Sequence, residues 1–443
     1  MENSNQLDQE RREARRKRRR KNQISAYITL LMFIIVVAAG IVIGVKYITE
    51  MSRNGNEADD GSRLESLLPT EDELVVPDTS TSEEAEVVPE LTDEQKLDEI
   101  INAGIEVMPL EDKIAGLFIV APEAITGVST VIQAGEGTKD ALAMYAVGGI
   151  VYFTKNMQSG EQLAEMISNT TLYTKYPLFI AVDEEGGSVN RVAEAGIAEK
   201  VDSAKAIGQT LDTANAYQAG LTVGGYLSEL GFNLNFAPVA DLANVDGSIM
   251  EGRSYGSEAS IASSFMTAML QGLEEQNVTA CLKHFPGIGG STGDTHEGMV
   301  TTERSAEEFR EEEFAVFKAG IDSGADMIMV GHISAPSLTD DENIPCSLSK
   351  TVVTDILRGE LGFDGVIITD AMNMGAISEY YNADEAAIMA LRAGCDMILM
   401  PEDFENAYAG VLAAVQDGTI SEERIDDSLR RIYRIKYAGM LQE

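Results

Sequence analysis

Residues 281–296, Cys-Leu-Lys-His-Phe-Pro-Gly-Ile-Gly-Gly-Ser-Thr-Gly-Asp-Thr-His, contain two of the three histidines in this chain. Asp294 and His296 stand two apart. At that spacing a carboxylate accepts the imidazole N–H, fixes its tautomer and raises its basicity, which is what proton transfer asks of a histidine. An imidazole has an ordinary pKa of roughly 6.5, close enough to neutrality to give and take a proton in one cycle. Upstream, the apolar β-type run 278–282 breaks into the cationic pair Lys283-His284. Pro286, Gly287, Gly289, Gly290 and Gly293 then forbid regular structure. Taken alone, a loop Asp-x-His is an ordinary surface turn. A Lys-His pair directly after a buried strand, followed by a glycine loop bearing a second histidine, predicts a site that closes on its ligand.

The elements that must position these groups are short apolar runs alternating with amphipathic helical segments from about residue 96 onward. The runs are 116–120, 149–153, 178–182, 234–239, 279–282, 327–330, 366–369 and 397–400. Eight strands separated by helices predict parallel β/α units, and eight closes a barrel, so the expected fold class is α/β, a (β/α)8 TIM-type barrel. Gly148-Gly149, Gly324, Gly365 and Gly394 precede strands as helix stops would. A doubly wound open sheet is the competing fold, but no Gly-x-Gly-x-x-Gly follows the first strand to support it. In a barrel the chemistry sits at the C-terminal strand ends. Those ends carry Asp183-Glu184-Glu185 after the third strand and Asp241, then Arg253, after the fourth. Lys283-His284 follow the fifth, His332 the sixth, Asp370 the seventh and Glu402-Asp403 the eighth.

Lys283-His284-Phe285-Pro286-Gly287-x-Gly289-x-x-x-x-Asp294-Thr295-His296 resembles the signature loop of the β-N-acetylhexosaminidases of glycoside hydrolase family 3. A distant second segment, Asp370-Ala371-Met372-Asn373-Met374, is similar to the nucleophile segment of the same family; read alone, Asp370 is equally a helix N-cap. The resemblance implies a retaining glycosidase acting on terminal β-linked N-acetylglucosamine. Asp370 would be its nucleophile, and His296 held by Asp294 its acid/base. Asp183, Arg191, Arg253, Lys283 and His284 match the family's sugar-binding residues. No cofactor and no metal is implied, and no cluster of ligands has metal spacing. The chain departs from the family at Ile288, often a second histidine there, and at Glu184 and Ser188, where Gln and Arg are usual. His332 resembles a rim histidine of the family, and a hydrogen-bonded structural histidine fits it equally.

Around this body the composition is lopsided. The formal net charge is −40, but residues 1–50 carry ten Lys/Arg against five Asp/Glu, leaving 23 against 68 for the rest. An acidic body excludes nucleic-acid binding as a function. Residues 1–23 read as a basic cytoplasmic tail. The uncharged apolar run 24–45 is long enough for a transmembrane helix, assigned to 24–46, because roughly 20 apolar residues span the hydrocarbon core. A cleavable signal peptide would have a shorter apolar region and a small-residue cleavage site. The basic flank predicts a cytoplasmic N-terminus, a single pass through the cell membrane and an extracellular barrel. Residues 47–95 read as an acidic disordered linker. Cys281, Cys346 and Cys395 are expected as core thiols, two of them within buried strands, with no disulfide. Competing functions are a β-glucosidase or β-xylosidase of the same superfamily, a phosphorylase, and a catalytically silent tethered glycan-binding protein. The intact set Asp294, His296 and Asp370 disfavours the last.

Overall fold

The computed structural model describes residues 92–438 apart from 340 and 342. The expected tail, transmembrane helix and almost all of the expected linker lie outside these residues. Among the described residues no helix is long and apolar enough to cross a membrane. The first helix, Asp93–Glu106, starts inside the stretch read as linker. Thr92 and Gln95 form a capping box, which satisfies N–H groups left open by the first turn.

Eight parallel strands close into a barrel: β1 (Phe118–Val120), β2 (Gly149–Val151), β3 (Phe179–Val182), β4 (Leu234–Asn235), β5 (Thr279–Phe285), β6 (Met327–Val330), β7 (Val366–Ala371) and β8 (Met397–Leu399). Each pairs with its sequence neighbours, and β1 closes against β8 through Phe118 opposite Ile398. Most strands are buried along their whole length because helices cover the outer face and side chains fill the interior, which is why they read as continuous apolar runs. Gly394, at φ +118°, ends the helix Ala383–Ala393 and turns the chain toward β8.

Two strands run further than their apolar stretches. Lys283-His284 lies inside β5, not after it. The Lys283 carbonyl accepts from Ala240 N–H at 2.7 Å and Phe285 pairs with Val330, so backbone partners on both sides carry the ladder through the polar pair. Asp370 likewise lies within β7. Conversely β4 is shorter than expected: past Asn235 the chain keeps contact with β5 only through the Ala237 and Pro238 carbonyls, the Ala240 N–H and a bridge from Val239 to Lys283, and Pro238 brings no N–H of its own. All three cysteines are free and buried, though Cys395 sits in the turn before β8 and not in a strand.

At the N-terminal end of the barrel, fully buried Asp396 accepts from Ile367 N–H at 2.9 Å and Ser428 Oγ at 2.8 Å. It also pairs with Arg358 and Arg431. This cluster ties β7 and β8 to the last helix, Glu422–Ala438, at the face that serves stability.

Candidate active site

Near the C-terminal end of β5 the register shifts, and both Lys283 and His284 reach the barrel mouth; Lys283 is buried there and meets two carboxylates. Its Nζ lies 2.7 Å from Asp183 Oδ1 and 2.6 Å from Glu185 Oε1. Glu185 also takes both forks of Arg253, from Nε at 2.8 Å and Nη2 at 2.6 Å. Burial works against the charges on Glu185 and Lys283, and their partners overcome it. Lys283 and Arg253 hold the Glu185 carboxyl down at about 2, while Asp183 and Glu185 hold the Lys283 ammonium above its ordinary range. The result is a rigid, mutually neutralising row of charged hydrogen-bonding groups.

His284 is set by Asp241, a fully buried carboxylate beyond β4. Asp241 Oδ2 receives His284 Nδ1 at 2.7 Å and the His284 backbone N–H at 3.1 Å, and Oδ1 accepts from Ile288 N–H at 2.7 Å. With Nδ1 donating, Nε2 is the nitrogen left for other contacts. Asp370 Oδ1 accepts from Ala371 N–H at 2.7 Å. Burial opposes its charge, but His284, the Ala371 N–H and Lys283 hold its carboxyl below the usual range, so it stands ionised. His332 is fully buried. Its ring nitrogens meet Ser347 Oγ at 2.8 Å and the Ala371 carbonyl at 3.1 Å, and burial lowers its pKa. A neutral ring donating from Nε2 meets both contacts, so His332 braces the end of β7 as a structural histidine.

The glycine loop brings the expected dyad together. His296 Nδ1 lies 2.7 Å from Asp294 Oδ1, which also accepts the His296 backbone N–H at 2.9 Å. Burial would raise the Asp294 carboxyl, but those two contacts hold it down. The His296 side chain is 65% exposed, consistent with a group that meets a ligand from the mouth. Gly289 is required here: a Cβ would fall 1.5 Å from the Leu242 carbonyl oxygen.

These groups share one cavity of about 300 Å³. Asp183, Glu185, Arg191, Arg253, Lys283, His284, His296 and Asp370 line it, with an apolar wall that includes Phe153, Phe236, Ile288 and Met329. Asp294 stands behind His296. Ile288, where the family often has histidine, is buried and continues that apolar wall. All eight residues singled out from the sequence are thus gathered at one mouth. Two further contributors, Glu185 and Asp241, were not singled out. Both stand past the C-terminal ends of barrel strands, Glu185 two residues beyond Asp183 and Asp241 two residues beyond the bridge that Val239 makes with Lys283. That position is the signal that marks them. Among the described residues no group of His, Cys, Asp and Glu is arranged to hold a metal ion.

Residues 109–435 match the glycosyl hydrolase family 3 N-terminal domain. Beta-hexosaminidase A of Pseudoalteromonas piscicida is 29% identical over 325 residues, 67% of this chain and 54% of that protein. A Cellulomonas fimi protein named beta-N-acetylglucosaminidase/beta-glucosidase is 28% identical over 66% of this chain and 52% of its own length. The chain therefore spans about half the length of these relatives. Among solved structures, a glycoside hydrolase family 3 beta-N-acetylglucosaminidase from Paenibacillus sp. str. FPU-7 superposes with a TM-score of 0.69 at 33% identity, covering 76% of this chain and 64% of that one. From its barrel, its rim of charged residues and these likenesses, the chain belongs to glycosyl hydrolase family 3 through that family's N-terminal domain.

Proposed function

We propose that this protein is a retaining β-N-acetylhexosaminidase that removes terminal, non-reducing β-linked N-acetylglucosamine. One observation carries the reading: an ionised carboxylate, Asp370, and an imidazole held by its own carboxylate, His296 with Asp294, line the same cavity beside a row of charged hydrogen-bonding groups.

In the first step an Asp370 oxygen attacks the anomeric carbon. The glycosidic carbon–oxygen bond breaks, and the leaving oxygen takes the proton from His296 Nε2 while Nδ1 keeps its proton and donates it as a hydrogen bond to Asp294. Asp370 is then esterified to the sugar. In the second step neutral His296 removes a proton from water, whose oxygen attacks the anomeric carbon and frees Asp370. Two inversions retain the configuration. Asp183, Lys283, His284, Arg253 and Arg191 hydrogen-bond the sugar. A sugar lacking one hydroxyl leaves a desolvated partner unpaired and is rejected. His296 is the more open member of the pair, as an acid facing the leaving group should be.

The full-length protein is tested with a chromogenic β-N-acetylglucosaminide beside the matching β-glucoside, the second activity that the Cellulomonas fimi relative's name carries. Release from the first, lost in Asp370→Ala and His296→Ala, supports the reading. Normal turnover by Asp370→Ala sinks it, and preference for the glucoside moves the chain to the glucosidase branch.

The apolar run 24–45 adds a proposed membrane tether that would hold the barrel on the cell exterior, with glycans ending in N-acetylglucosamine, such as those of peptidoglycan, as substrates. Recovery of the protein in the soluble fraction after cell disruption would reject the tether.

A further inference from the structure

Glu184 is the residue at which the glycine-rich turn departs from the family's usual glutamine, and the described contacts explain what its carboxylate does. It is fully buried and faces away from the row formed by Asp183 and Glu185. Oε2 accepts from Val192 N–H at 2.8 Å. Oε1 accepts from Ala193 N–H at 3.1 Å and from Tyr226 Oη–H at 2.9 Å. Its backbone is locked as well: Glu184 N–H donates to Asn235 Oδ1, and Asn235 Nδ2 donates to the Glu184 carbonyl, both at 2.9 Å. Val192 and Ala193 belong to the one-turn helix Arg191–Glu194, which begins with the arginine that lines the cavity. Arg191 stands over the Phe153 ring at 6.0 Å, and its buried Nε has no hydrogen-bond partner within the protein.

We propose that Glu184 is a positioning residue for Arg191: its carboxylate gathers two N–H groups of the Arg191–Glu194 turn and the Tyr226 hydroxyl, and so holds the guanidinium on the cavity wall with a donor reserved for the sugar. The proposal rests on the glycosidase reading above. All three partners are donors, and a carboxylate accepts from all three at once. A glutamine has one acceptor oxygen and a donor NH2. With the NH2 at the Oε2 position, Val192 N–H is orphaned. With it at the Oε1 position, Tyr226 turns to accept, but Ala193 N–H is orphaned. Either way the turn carrying Arg191 loses a tie, although volume and shape are kept. Arg191 binds the sugar without taking part in bond breaking, so its displacement weakens ground state and transition state together and appears in KM, not kcat.

The test is a double-mutant cycle on the full-length protein with the chromogenic β-N-acetylglucosaminide. Glu184→Gln should raise KM about tenfold and leave kcat within about twofold. Tyr226→Phe removes one tie of the three and should raise KM less, by about threefold. In an Arg191→Ala background neither substitution should raise KM further, because the residue through which they act is gone. A rise in KM by Glu184→Gln that persists undiminished beside Arg191→Ala would overturn the proposal, as would a fall in kcat alone or wild-type KM in both single variants. Because Tyr226→Phe leaves the buried carboxylate in place, it decides the question even if Glu184→Gln does not fold. Absence of turnover by the wild-type protein would overturn the glycosidase reading and this proposal with it; wild-type turnover with unchanged variants overturns the proposal alone.

Discussion

The carbonyl oxygen of His296 accepts a hydrogen bond from the backbone N–H of Gly375 at 3.2 Å, and one residue earlier the Thr295 carbonyl accepts from Ala376 N–H at 3.1 Å. The loop carrying Asp294 and His296 is thereby pinned to the segment five residues past Asp370. The placement of His296 is set by the same stretch of chain that follows β7, the strand that carries Asp370. A Cβ at Gly375 would lie 2.8 Å from that carbonyl oxygen and 3.0 Å from the Glu297 carbonyl carbon, both backbone atoms that cannot swing away. Gly375→Ala should therefore displace the dyad and lower kcat by about a hundredfold, the scale expected when a positioned group moves by about 1 Å. Steady-state kinetics beside a thermal melt checks this; wild-type kcat would refute the coupling.

Glu185→Gln should destabilise the protein at neutral pH by about 3 kcal/mol, since Lys283 and Arg253 lose a buried anion. Glu185 is held at about 2 in the folded protein against an ordinary value of roughly 4.3 when unfolded. Its contribution is thus present above pH ~4.3 and fades as pH falls toward 2. Denaturant unfolding of both proteins from pH 7 down to the lowest pH at which they fold should show the gap narrowing in acid. A gap independent of pH would reject the assignment.

The opposite sign is expected at Glu313. Its carboxyl is buried beside Arg304, with one oxygen lacking a partner, and burial pushes it up to about 8 despite the guanidinium. A carboxyl raised in the folded state costs stability progressively as pH climbs from ~4.3 through 8. Glu313→Gln removes that ionisation, so the melting temperature of the variant relative to wild type should rise between pH 6 and 9. A constant difference would count against it.

Asp396→Ala should act on stability alone. It removes the anion shared by Arg358 and Arg431 and should cost about 3–5 kcal/mol, because buried cations are left uncompensated. The cluster lies at the barrel face away from the cavity, so KM at a temperature where the variant is folded should equal that of the wild type. Melting and kinetics measured on one preparation separate the two effects.

The eight barrel strands were legible as apolar runs because a strand buried on both faces must be apolar throughout, and that constraint is local. The dyad was legible for the same reason: Asp294 and His296 are two residues apart, and no tertiary contact is needed to bring them into bonding distance. Asp370, Lys283 and Arg191 could be placed at strand ends and matched to a family motif. Their being neighbours was decided by closure of the barrel, which brings the C-terminal ends of the third, fourth, fifth and seventh strands, with the loops after them, to one rim. Glu185, clasped by Lys283 and Arg253 from far along the chain, and Asp241, which orients His284, carried no local mark of their partners. The extent of β5 through Lys283-His284 also lay beyond periodicity, because neighbouring strands supply its hydrogen bonds. Burial and pairing, which set the charge on Glu185 and Glu313 in opposite directions, depend on which chain segments meet. Two glutamates alike in sequence are therefore told apart only by the folded structure.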